Sequence, residues 1–253
     1  MIPKIIHYCW FGGNPLPESA KKCIASWRKY LPDYEIWQWS EGSLHDNVND
    51  NENVLFDKIL SFDVNSIPYT QQAYEAKKYA FVSDYARFWV LYHYGGLYFD
   101  TDVEVIANMD EIVARGAFMG LEIDGSKKGT KIAINPGLGL GAEAEFPIYQ
   151  EILNGFAGMD YYGADGKRSN YTMIPMVTDL FLGKGLEANG KVQSICDVTI
   201  YPQRFFNPYN GVTGELSITS DTHSIHWYSA TWMEPKTKWF MKLKRTIRSI
   251  IRL

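Results

Sequence analysis

Cysteine is scarce in this sequence of 253 residues, and long apolar runs are missing from it. The three cysteines are an odd number without the spacing of metal ligands, which argues against a disulfide framework and a zinc knuckle and favours a reducing compartment. No stretch approaches the roughly 20 apolar residues that cross a bilayer, and the N-terminus lacks an apolar segment of signal-peptide length. We therefore expect a cytoplasmic protein.

The composition is that of a globular protein. With 46% hydrophobic and 21% charged residues, the sequence is excluded from the disordered, coiled-coil and collagen-like classes. It has no internal repeat and no linker long enough to divide it, so one domain with a tail is expected. Aromatic residues are abundant, with 17 Tyr, 13 Phe and 8 Trp, and such rings suit both a core and a surface that stacks on sugars or bases.

The net charge of −4 is the sum of two unlike segments. Residues 235–253 contain seven Lys or Arg and no acid, which leaves 18 basic against 29 acidic residues in the body of the chain. A basic tail on an acidic body indicates an anionic partner for the tail. Nucleic acid is disfavoured, because the acidic body would oppose it and the sequence has no recognised binding module.

Large apolar side chains recur along the tail at the spacing of one helical stripe. They are Trp239, Phe240, Leu243, Ile247, Ile250 and Ile251. Basic residues occupy much of the remaining surface, and a basic amphipathic helix with aromatic residues suits an anionic membrane surface. The same stripe also fits a helix docked on the domain, so both interpretations stay open.

The hydrophobic pattern predicts an α/β protein. A strand over 4–10, a helix over 17–31 and a strand over 34–40 give a start of nucleotide-binding type. Loops are expected over 41–53, 125–141 and 155–166. The other predicted elements are a helix over 71–94 that ends at Gly95 and Gly96, a strand over 97–106, a short helix over 109–115, a strand over 117–122, and helices over 146–156 and 174–182.

Two acids stand two residues apart in the predicted strand over 97–106. Because side chains alternate along a strand, Asp100 and Asp102 are expected on one face with Tyr98 and Glu104, opposite an apolar face. Two hard oxygen ligands suit Mg²⁺ or Mn²⁺ beside a diphosphate. A pair of solvated acids fits the same pattern, so the D-x-D alone decides nothing.

The preceding helical segment, 79–94, is apolar almost all round, yet it carries Asp84 and Arg87 three residues apart. Burying charge is costly unless the charge is paired or functional. One explanation is a mutual ion pair. The other is a binding-site floor where Asp84 accepts hydroxyl hydrogen bonds and Arg87 compensates negative charge.

Taken together, S-D-Y-A-R at 83–87, the glycine pair and L-Y-F-D-T-D at 97–102 resemble the DXD sugar-binding region of retaining glycosyltransferases of family 32. That family includes Golgi α-mannosyl- and α-galactosyltransferases and bacterial capsule or lipopolysaccharide enzymes, and it is more distantly similar to large glucosylating toxins. The opening I-P-K-I-I-H-Y-C-W-F-G-G and the late H-W-Y-S-A-T-W are also similar to the family. The resemblance implies a single GT-A domain, Rossmann-like and nucleotide-sugar-binding, over residues 1–235, with the C-terminal basic amphipathic helix in the tail, 236–253.

The resemblance also implies a metal site, with Mn²⁺ (or Mg²⁺) as cofactor. Asp102 matches the direct metal ligand, and Asp100 matches the acid that contacts the donor ribose or sugar, partly through the metal shell. His226 matches the C-terminal position that completes metal coordination. His223, three residues earlier, competes with it.

Other residues match positions around the donor. Asp84 and Arg87 match the helix residues that hold the donor sugar, and Asn135 lies roughly where relatives place an amide beside the transferred sugar. Trp10 matches a ring that stacks on the base, although packing beneath the first strand would also explain it. The last two positions, implied to contact diphosphate or to close the site, are Ser229 and Trp232.

The implied activity is retaining, metal-dependent transfer of a hexose from a nucleotide sugar, a UDP-sugar by preference, to a hydroxyl of a glycan acceptor. The resemblance implies attack of the acceptor hydroxyl from the front face, and a double displacement is unsupported because the sequence identifies no in-line carboxylate nucleophile. The acceptor is expected to be lipid-linked, in bacterial capsular or lipopolysaccharide synthesis, with the tail on the inner face of the plasma membrane. Alternatives are a haloacid-dehalogenase-type phosphotransferase, which uses a strand ending in D-x-D, and a catalytically silent carbohydrate-binding protein.

Overall fold

The structure, a computed structural model, describes residues 1–42, 55–127, 130–163 and 165–229. The predicted tail helix, Trp232 and almost all of the predicted loop over 41–53 lie outside the described residues. No helix in the described ranges combines the length and the apolar character that crossing a bilayer requires.

Strands and helices alternate along most of the chain. The strands are β1 (Ile5–Cys9), β2 (Glu35–Glu41), β3 (Lys58–Phe62), β4 (Gly96–Tyr98), β5 (Val103–Val105), β6 (Phe118–Ile123), β7 (Ala133–Ile134), β8 (Leu140–Ala142), β9 (Gln193–Ile195), β10 (Val198–Tyr201) and β11 (Ser224–His226). The helices are α1 (Glu18–Tyr30), α2 (Pro68–Glu75), α3 (Tyr79–Tyr94), α4 (Asp110–Val113), α5 (Pro147–Ala157), α6 (Met173–Gly183) and α7 (Gln203–Phe206), with a 3₁₀ turn at Pro136–Leu138.

The described strands form one large, mostly parallel sheet and one small sheet. The large sheet has the order β3-β2-β1-β4-β8-β6-β10-β9, with β7 paired to β6. Strands β1, β2, β3 and β4 are parallel, and so are β6 and β10, whereas β8 and β9 run antiparallel to their neighbours. Strands β5 and β11 form a separate antiparallel pair. The predicted strand-helix-strand start is confirmed.

Apolar side chains cover both faces of the large sheet, as expected when crossover helices pack on each side. One core cluster joins the sheet to α3 and α5, through Phe88 and Ile152, and the other joins it to α1 through Trp27. Neighbouring residues of β6 point to opposite clusters, with Phe118 in one and Met119 in the other. This alternation is the two-residue period of a strand buried on both faces.

The predicted helix over 71–94 is two helices in the structure. Helix α2 ends at Glu75, and Lys77 turns the chain with φ of +58° before α3 begins. Lysine rarely adopts this left-handed conformation, and the segment has no Gly or Pro to indicate a break. The predicted stop at Gly95 is confirmed, because Gly95 caps α3 with φ of +63°.

The predicted strand over 97–106 is also wrong as a continuous element. Strand β4 ends at Tyr98, the D-T-D segment forms a turn closed by the Val103 N–H donating to Asp100 O at 3.0 Å, and β5 then joins the other sheet. The expected polar face is wrong too, since Tyr98 is only 1% exposed. The two carboxylates are therefore brought together by a turn and not by strand alternation.

The Gly-rich stretch over 125–141, predicted to be a loop, contains β7, the 3₁₀ turn and the first residues of β8. Strand β8 lies between β4 and β6. A Cβ atom on Gly141 would lie 2.6 Å from the Phe118 side chain and 2.7 Å from that of Leu97. Close packing in the sheet therefore requires a glycine at Gly141. The loop was predicted because the stretch is rich in glycine, and composition alone does not distinguish the two causes.

Candidate active site

Polar side chains gather at the carboxyl ends of the parallel strands, where open α/β sheets bind ligands. Trp10 follows β1, Asp100 follows β4 and Glu122 stands near the end of β6. The chain order reverses between β1 and β4, since β2 and β3 extend the sheet to one side and β8, β6 and β10 to the other. This reversal puts the D-T-D turn beside the topological switch point.

Asp100, Asp102 and His226 each offer one ligand atom to a cluster in which all these atoms lie within 4.8 Å of one another. The pairing of β11 with β5 places His226 opposite Val103 and so carries the imidazole to the D-T-D turn. His226 Nε2 lies 3.1 Å from Asp102 Oδ1. His223, the competing histidine, instead contacts the Asn108 carbonyl through Nδ1 at 2.6 Å and is outside this cluster.

The cluster has the donor chemistry that Mn²⁺ or Mg²⁺ requires. Carboxylate oxygens and an imidazole nitrogen are accepted ligands for Mn²⁺. Burial acts to lower the pKa of His226, but the adjacent Asp102 carboxylate raises it above its usual value. Burial also acts to raise the pKa of Asp102, but His226 and Ser229 together lower it to about 2. The site thus holds Asp102 as an anion, and the residues present fit the cation.

Arg87 joins helix α3 to the D-T-D turn. Its guanidinium is 3% exposed, with Nη2 at 3.0 Å from Asp84 Oδ1 and 3.3 Å from Asp100 Oδ1. Its Nε donates to the Ser83 carbonyl at 3.0 Å. The predicted mutual ion pair is therefore confirmed, and Arg87 also contacts Asp100 of the Asp100, Asp102 and His226 cluster.

The environment pushes the neighbouring carboxyls toward the neutral form. Burial raises the pKa of Asp84 to about 7, opposed by Arg87 and assisted by Asp100. Burial also raises the pKa of Asp100, again opposed by Arg87.

Ser229 holds Asp102 in place. Its backbone N–H and its hydroxyl both donate to Asp102 Oδ2, at 2.8 and 3.0 Å. Tyr228, just before it, has φ of +50°, a left-handed conformation that turns the chain back toward the carboxylate. Ser229 therefore contacts Asp102 of the cluster. The resemblance had implied that it contacts the diphosphate or closes the site.

Asn135 is tied at both ends of its amide. Its Nδ2 donates to Glu122 Oε2 at 3.0 Å, and its Oδ1 accepts from the Gly137 N–H at 2.9 Å. A Cβ atom on Gly137 would collide with Asp100 Oδ2. Asn135 is therefore hydrogen-bonded to Gly137, which in turn lies against Asp100 of the Asp100, Asp102 and His226 cluster.

Trp10 stands at the end of β1 and is partly exposed. Its backbone N–H donates to the Trp39 carbonyl at 2.8 Å, and its indole Nε1 donates to the Asn14 carbonyl at 2.6 Å. The ring also packs against the second core cluster. Partial packing and partial exposure agree with both sequence-based interpretations of this residue.

Sequence reasoning missed three residues that join the site. Glu122 accepts from Asn135 and, at Oε1, from the Tyr228 hydroxyl at 3.1 Å, and Tyr228 in turn accepts from Asn207 Nδ2 at 2.7 Å. The Tyr228 and His226 rings lie 4.2 Å apart. The one available signal was Glu122 at the end of an otherwise apolar predicted strand.

Comparison with known proteins supports the family resemblance. Residues 17–119 match the family model of the glycosyltransferase sugar-binding region containing DXD motif. Inositol phosphoceramide mannosyltransferase 1 of Schizosaccharomyces pombe (strain 972) is 30% identical over 121 residues, which cover 47% of this chain and 33% of the relative. Inositol phosphoceramide mannosyltransferase 3 of the same yeast is 30% identical over 117 residues, 44% of this chain and 27% of the relative.

The match therefore spans about a third of the length of these relatives. Among solved structures, mouse xyloside xylosyltransferase 1 in its apo form aligns with a TM-score of 0.52 at 11% identity, over 92% of this chain and all of that one. At this level of sequence identity, the alignment is evidence for a similar fold alone. Residues 17–119 are thus similar to the DXD-containing sugar-binding region of glycosyltransferases, and the mixed α/β fold is similar to that of the mouse xylosyltransferase.

Proposed function

We propose that this protein is a retaining, metal-dependent glycosyltransferase that moves a hexose from a nucleotide sugar to a hydroxyl of a glycan acceptor. The observation that carries the proposal is the convergence of Asp100, Asp102 and His226, from a turn and a distant strand, at the carboxyl edge of the sheet. Arg87, on helix α3, contacts the same cluster through Nη2, which lies 3.3 Å from Asp100 Oδ1. Residues 1–235 are the catalytic domain in this proposal.

Asp100, Asp102 and His226 would hold Mn²⁺ or Mg²⁺. Such a cation supplies Lewis acidity that stabilises negative charge on the departing nucleoside diphosphate. Ser229 keeps Asp102 in one orientation through two hydrogen bonds, so the ligand is preorganised. Trp232 is assigned to closing the site.

The remaining residues bind and orient the donor sugar. Asp84 exchanges hydrogen bonds with a sugar hydroxyl, while Arg87 compensates the charge of Asp84 and Asp100. Asn135, fixed at both ends, stands beside the transferred ring, and Trp10 offers its exposed part to the base. Transfer with retention follows from attack of the acceptor hydroxyl on the face that the diphosphate leaves, with the hydroxyl proton passing to a departing phosphate oxygen.

The donor and acceptor classes are part of the proposal. The sequence resemblance favours a UDP-hexose, whereas the yeast relatives are named as mannosyltransferases that act on inositol phosphoceramide. Both are compatible with a hexose donor and a lipid-linked acceptor. A role in bacterial capsule or lipopolysaccharide synthesis, with residues 236–253 on an anionic inner membrane surface, is the corresponding cellular proposal.

The test is a screen of UDP-glucose, UDP-galactose and GDP-mannose for hydrolysis with and without Mn²⁺. We expect Mn²⁺-dependent release of the nucleoside diphosphate from one donor, and a fall of at least about 100-fold for Asp102→Asn. Asp33→Asn, at an exposed acid that pairs with surface Lys4, is the matched control and should retain activity. Absence of hydrolysis with phosphatase activity would favour the phosphotransferase, and sugar binding alone would favour the carbohydrate-binding protein.

The tail has a test of its own. Co-sedimentation of the full chain with liposomes is expected to require anionic lipid and to be lost when residues 236–253 are removed. Equal binding to neutral and anionic vesicles would contradict the electrostatic proposal. Donor hydrolysis by the shortened chain separates loss of the tether from loss of the enzyme.

A further inference from the structure

Two sheets contribute to the metal cluster of Asp100, Asp102 and His226. Asp100 follows β4 of the large sheet, whereas Asp102 precedes β5 and His226 ends β11, the two strands of the small sheet. Strands β5 and β11 pair with each other and with no described strand of the large sheet. Strand pairing therefore does not fix how far Asp100 stands from the His226 imidazole, and contacts between side chains of the two parts take on this role.

The carboxylate of Glu122 makes such a contact. Glu122 lies in β6 of the large sheet, one residue before its end. Its Oε1 accepts from the hydroxyl of Tyr228, two residues beyond the small sheet, at 3.1 Å, and its Oε2 accepts from Asn135 Nδ2 at 3.0 Å. One side chain thus joins β6 to the segment after β11 and to the residue that caps the 3₁₀ turn.

The Tyr228 side of this bridge leads to His226 and Asp102. The Tyr228 ring packs edge-on against the His226 imidazole, with 4.2 Å between the ring centroids. The next residue, Ser229, donates two hydrogen bonds to Asp102 Oδ2. Tyr228 itself has φ of +50°, a conformation that L residues seldom adopt. A fixed hydroxyl on Tyr228 therefore holds the turn that presents His226 and Ser229 to the D-T-D segment.

The Asn135 side of the bridge leads to Asp100. Asn135 Oδ1 accepts from the Gly137 N–H at 2.9 Å, and the Gly137 carbonyl accepts from the Asp100 N–H at 3.3 Å. Asp100 Oδ2 lies where a Cβ atom on Gly137 would stand. Rotation of the Asn135 amide would therefore release Gly137 and, with it, the backbone and the side chain of Asp100.

The chemistry of the neighbours determines which groups donate to Glu122. Asn207 Nδ2 donates to the Tyr228 hydroxyl oxygen at 2.7 Å, so the hydroxyl proton is left for Glu122. Asn135 uses Oδ1 to accept from Gly137, so its Nδ2 donates to Glu122. Glu122 therefore has to accept on both oxygens. A carboxylate does this, whereas a glutamine amide, with one oxygen and one NH₂ group, cannot.

We propose that Glu122 is a positioning residue of the metal site and holds the two parts of the cluster at a fixed separation. Through Tyr228 it positions the residues that flank the small sheet, and through Asn135 it positions Asp100. The inference rests on the proposed metal-dependent function, and it assigns to Glu122 no contact with the cation or the donor. Loss of either hydrogen bond should misplace the ligand atoms and weaken the binding of Mn²⁺.

The test measures Mn²⁺ binding by the full chain, without donor, using electron paramagnetic resonance. Glu122→Gln keeps the size of the side chain but turns an NH₂ group toward one of the two donors, and Tyr228→Phe removes the hydroxyl from one of the two bonds. We expect the Kd for Mn²⁺ to rise about tenfold or more in each variant, as for the loss of other groups that orient a metal ligand.

The matched controls come from a similar pair elsewhere in the fold. Glu41 Oε1 accepts from the Tyr74 hydroxyl, also at 3.1 Å, and neither residue belongs to the metal cluster. Glu41→Gln and Tyr74→Phe should therefore leave the Kd for Mn²⁺ unchanged. Urea unfolding of all the variants separates a change in the site from a loss of the fold, because a positioning role raises the Kd of chains that are still folded.

An unchanged Kd in both Glu122→Gln and Tyr228→Phe would overturn the positioning role, as would a rise of the same size in the two controls. Donor hydrolysis is measured separately. If the unmodified chain binds Mn²⁺ but hydrolyses no donor, the glycosyltransferase proposal fails, while the comparison of Kd values still decides the role of Glu122. If the unmodified chain binds no Mn²⁺, the metal site and the positioning role are both refuted.

Discussion

Ser229 binds Asp102 twice, through its backbone N–H at 2.8 Å and its hydroxyl at 3.0 Å, although the two residues are 127 positions apart. Both bonds end on Oδ2, while Oδ1 faces His226. Asp102 therefore has each oxygen committed to a different partner. The orientation of Asp102, the proposed metal ligand, is here set by a residue that follows the last described strand.

Removing the Ser229 hydroxyl should weaken metal binding without unfolding the protein. Ser229→Ala keeps the backbone N–H bond to Asp102 and loses only the hydroxyl bond. We expect the Kd for Mn²⁺, measured by electron paramagnetic resonance, to rise about tenfold, the lower end for loss of a residue that orients a ligand. Ser19→Ala, at an exposed serine of α1 outside the cluster, is the control, and an unchanged Kd in Ser229→Ala would contradict the orienting role.

Arg87 should be required for the fold as well as for the site. Arg87→Met leaves Asp84 and Asp100 without their buried cation, so we expect the free energy of unfolding in urea to fall by about 3–5 kcal/mol. Adding Asp84→Asn should restore part of this loss. Arg28→Met removes a half-exposed ion pair with Asp57 and should cost less than about 1 kcal/mol; equal losses for the two arginines would refute the argument.

His7 should make stability depend on pH. Burial lowers the pKa of His7 from 6.5 to about 4, opposed by its bond to Gly95, and its Nδ1 accepts from Trp39 Nε1 at 3.0 Å, which requires the neutral ring. Between these values the unfolded chain binds the proton and the folded chain does not. The free energy of unfolding should therefore fall by up to about 3 kcal/mol as pH drops from 6.5 to 4.

The measurement is urea denaturation at several pH values. His7→Gln should remove this part of the pH dependence, while His93→Gln, at an exposed histidine, should keep it. Identical pH profiles for His7→Gln and the unmodified protein would show that another group is responsible.

Gly137 should be intolerant of even a methyl group. In Gly137→Ala the new Cβ would overlap with Asp100 Oδ2 and press on Arg87 and Asn135, so donor hydrolysis should fall at least about tenfold. Gly183 is the matched control, because its Cβ position is open and it ends α6. Gly183→Ala should retain activity and unfold no more readily than the parent; equal activity of the two variants would count against the collision.

Local patterns predicted most elements of the fold, but the turns between them depended on contacts that no local pattern reports. The helix break at Lys77 requires a left-handed lysine, and the strand break after Tyr98 follows from Val103 joining a strand more than 100 residues downstream. At both breaks, the residues on either side still form the predicted type of element, helix at the first and strand at the second. After Tyr98, the pairing of β5 with β11 decides where the break falls.

The site divides in the same way. Asp84, Arg87, Asp100 and Asp102 could be predicted because they share one short motif, and His226 because its surroundings resemble a second one. Glu122, Asn207 and Tyr228 meet across 21 and 106 positions, and each is a common residue type without a motif of its own. These three residues are brought together by the folding of one edge of the sheet, and no single segment of the sequence contains all three.

The pairing of β11 with β5 has a consequence for the order in which the protein is made. A ribosome releases the D-T-D turn, the large sheet and helices α1 to α7 before it releases His226 and Ser229. All strands of the large sheet, the last of which ends at Tyr201, are therefore made before His226 of the cluster. Any product that ends before β11 lacks His226 and cannot form the complete cluster.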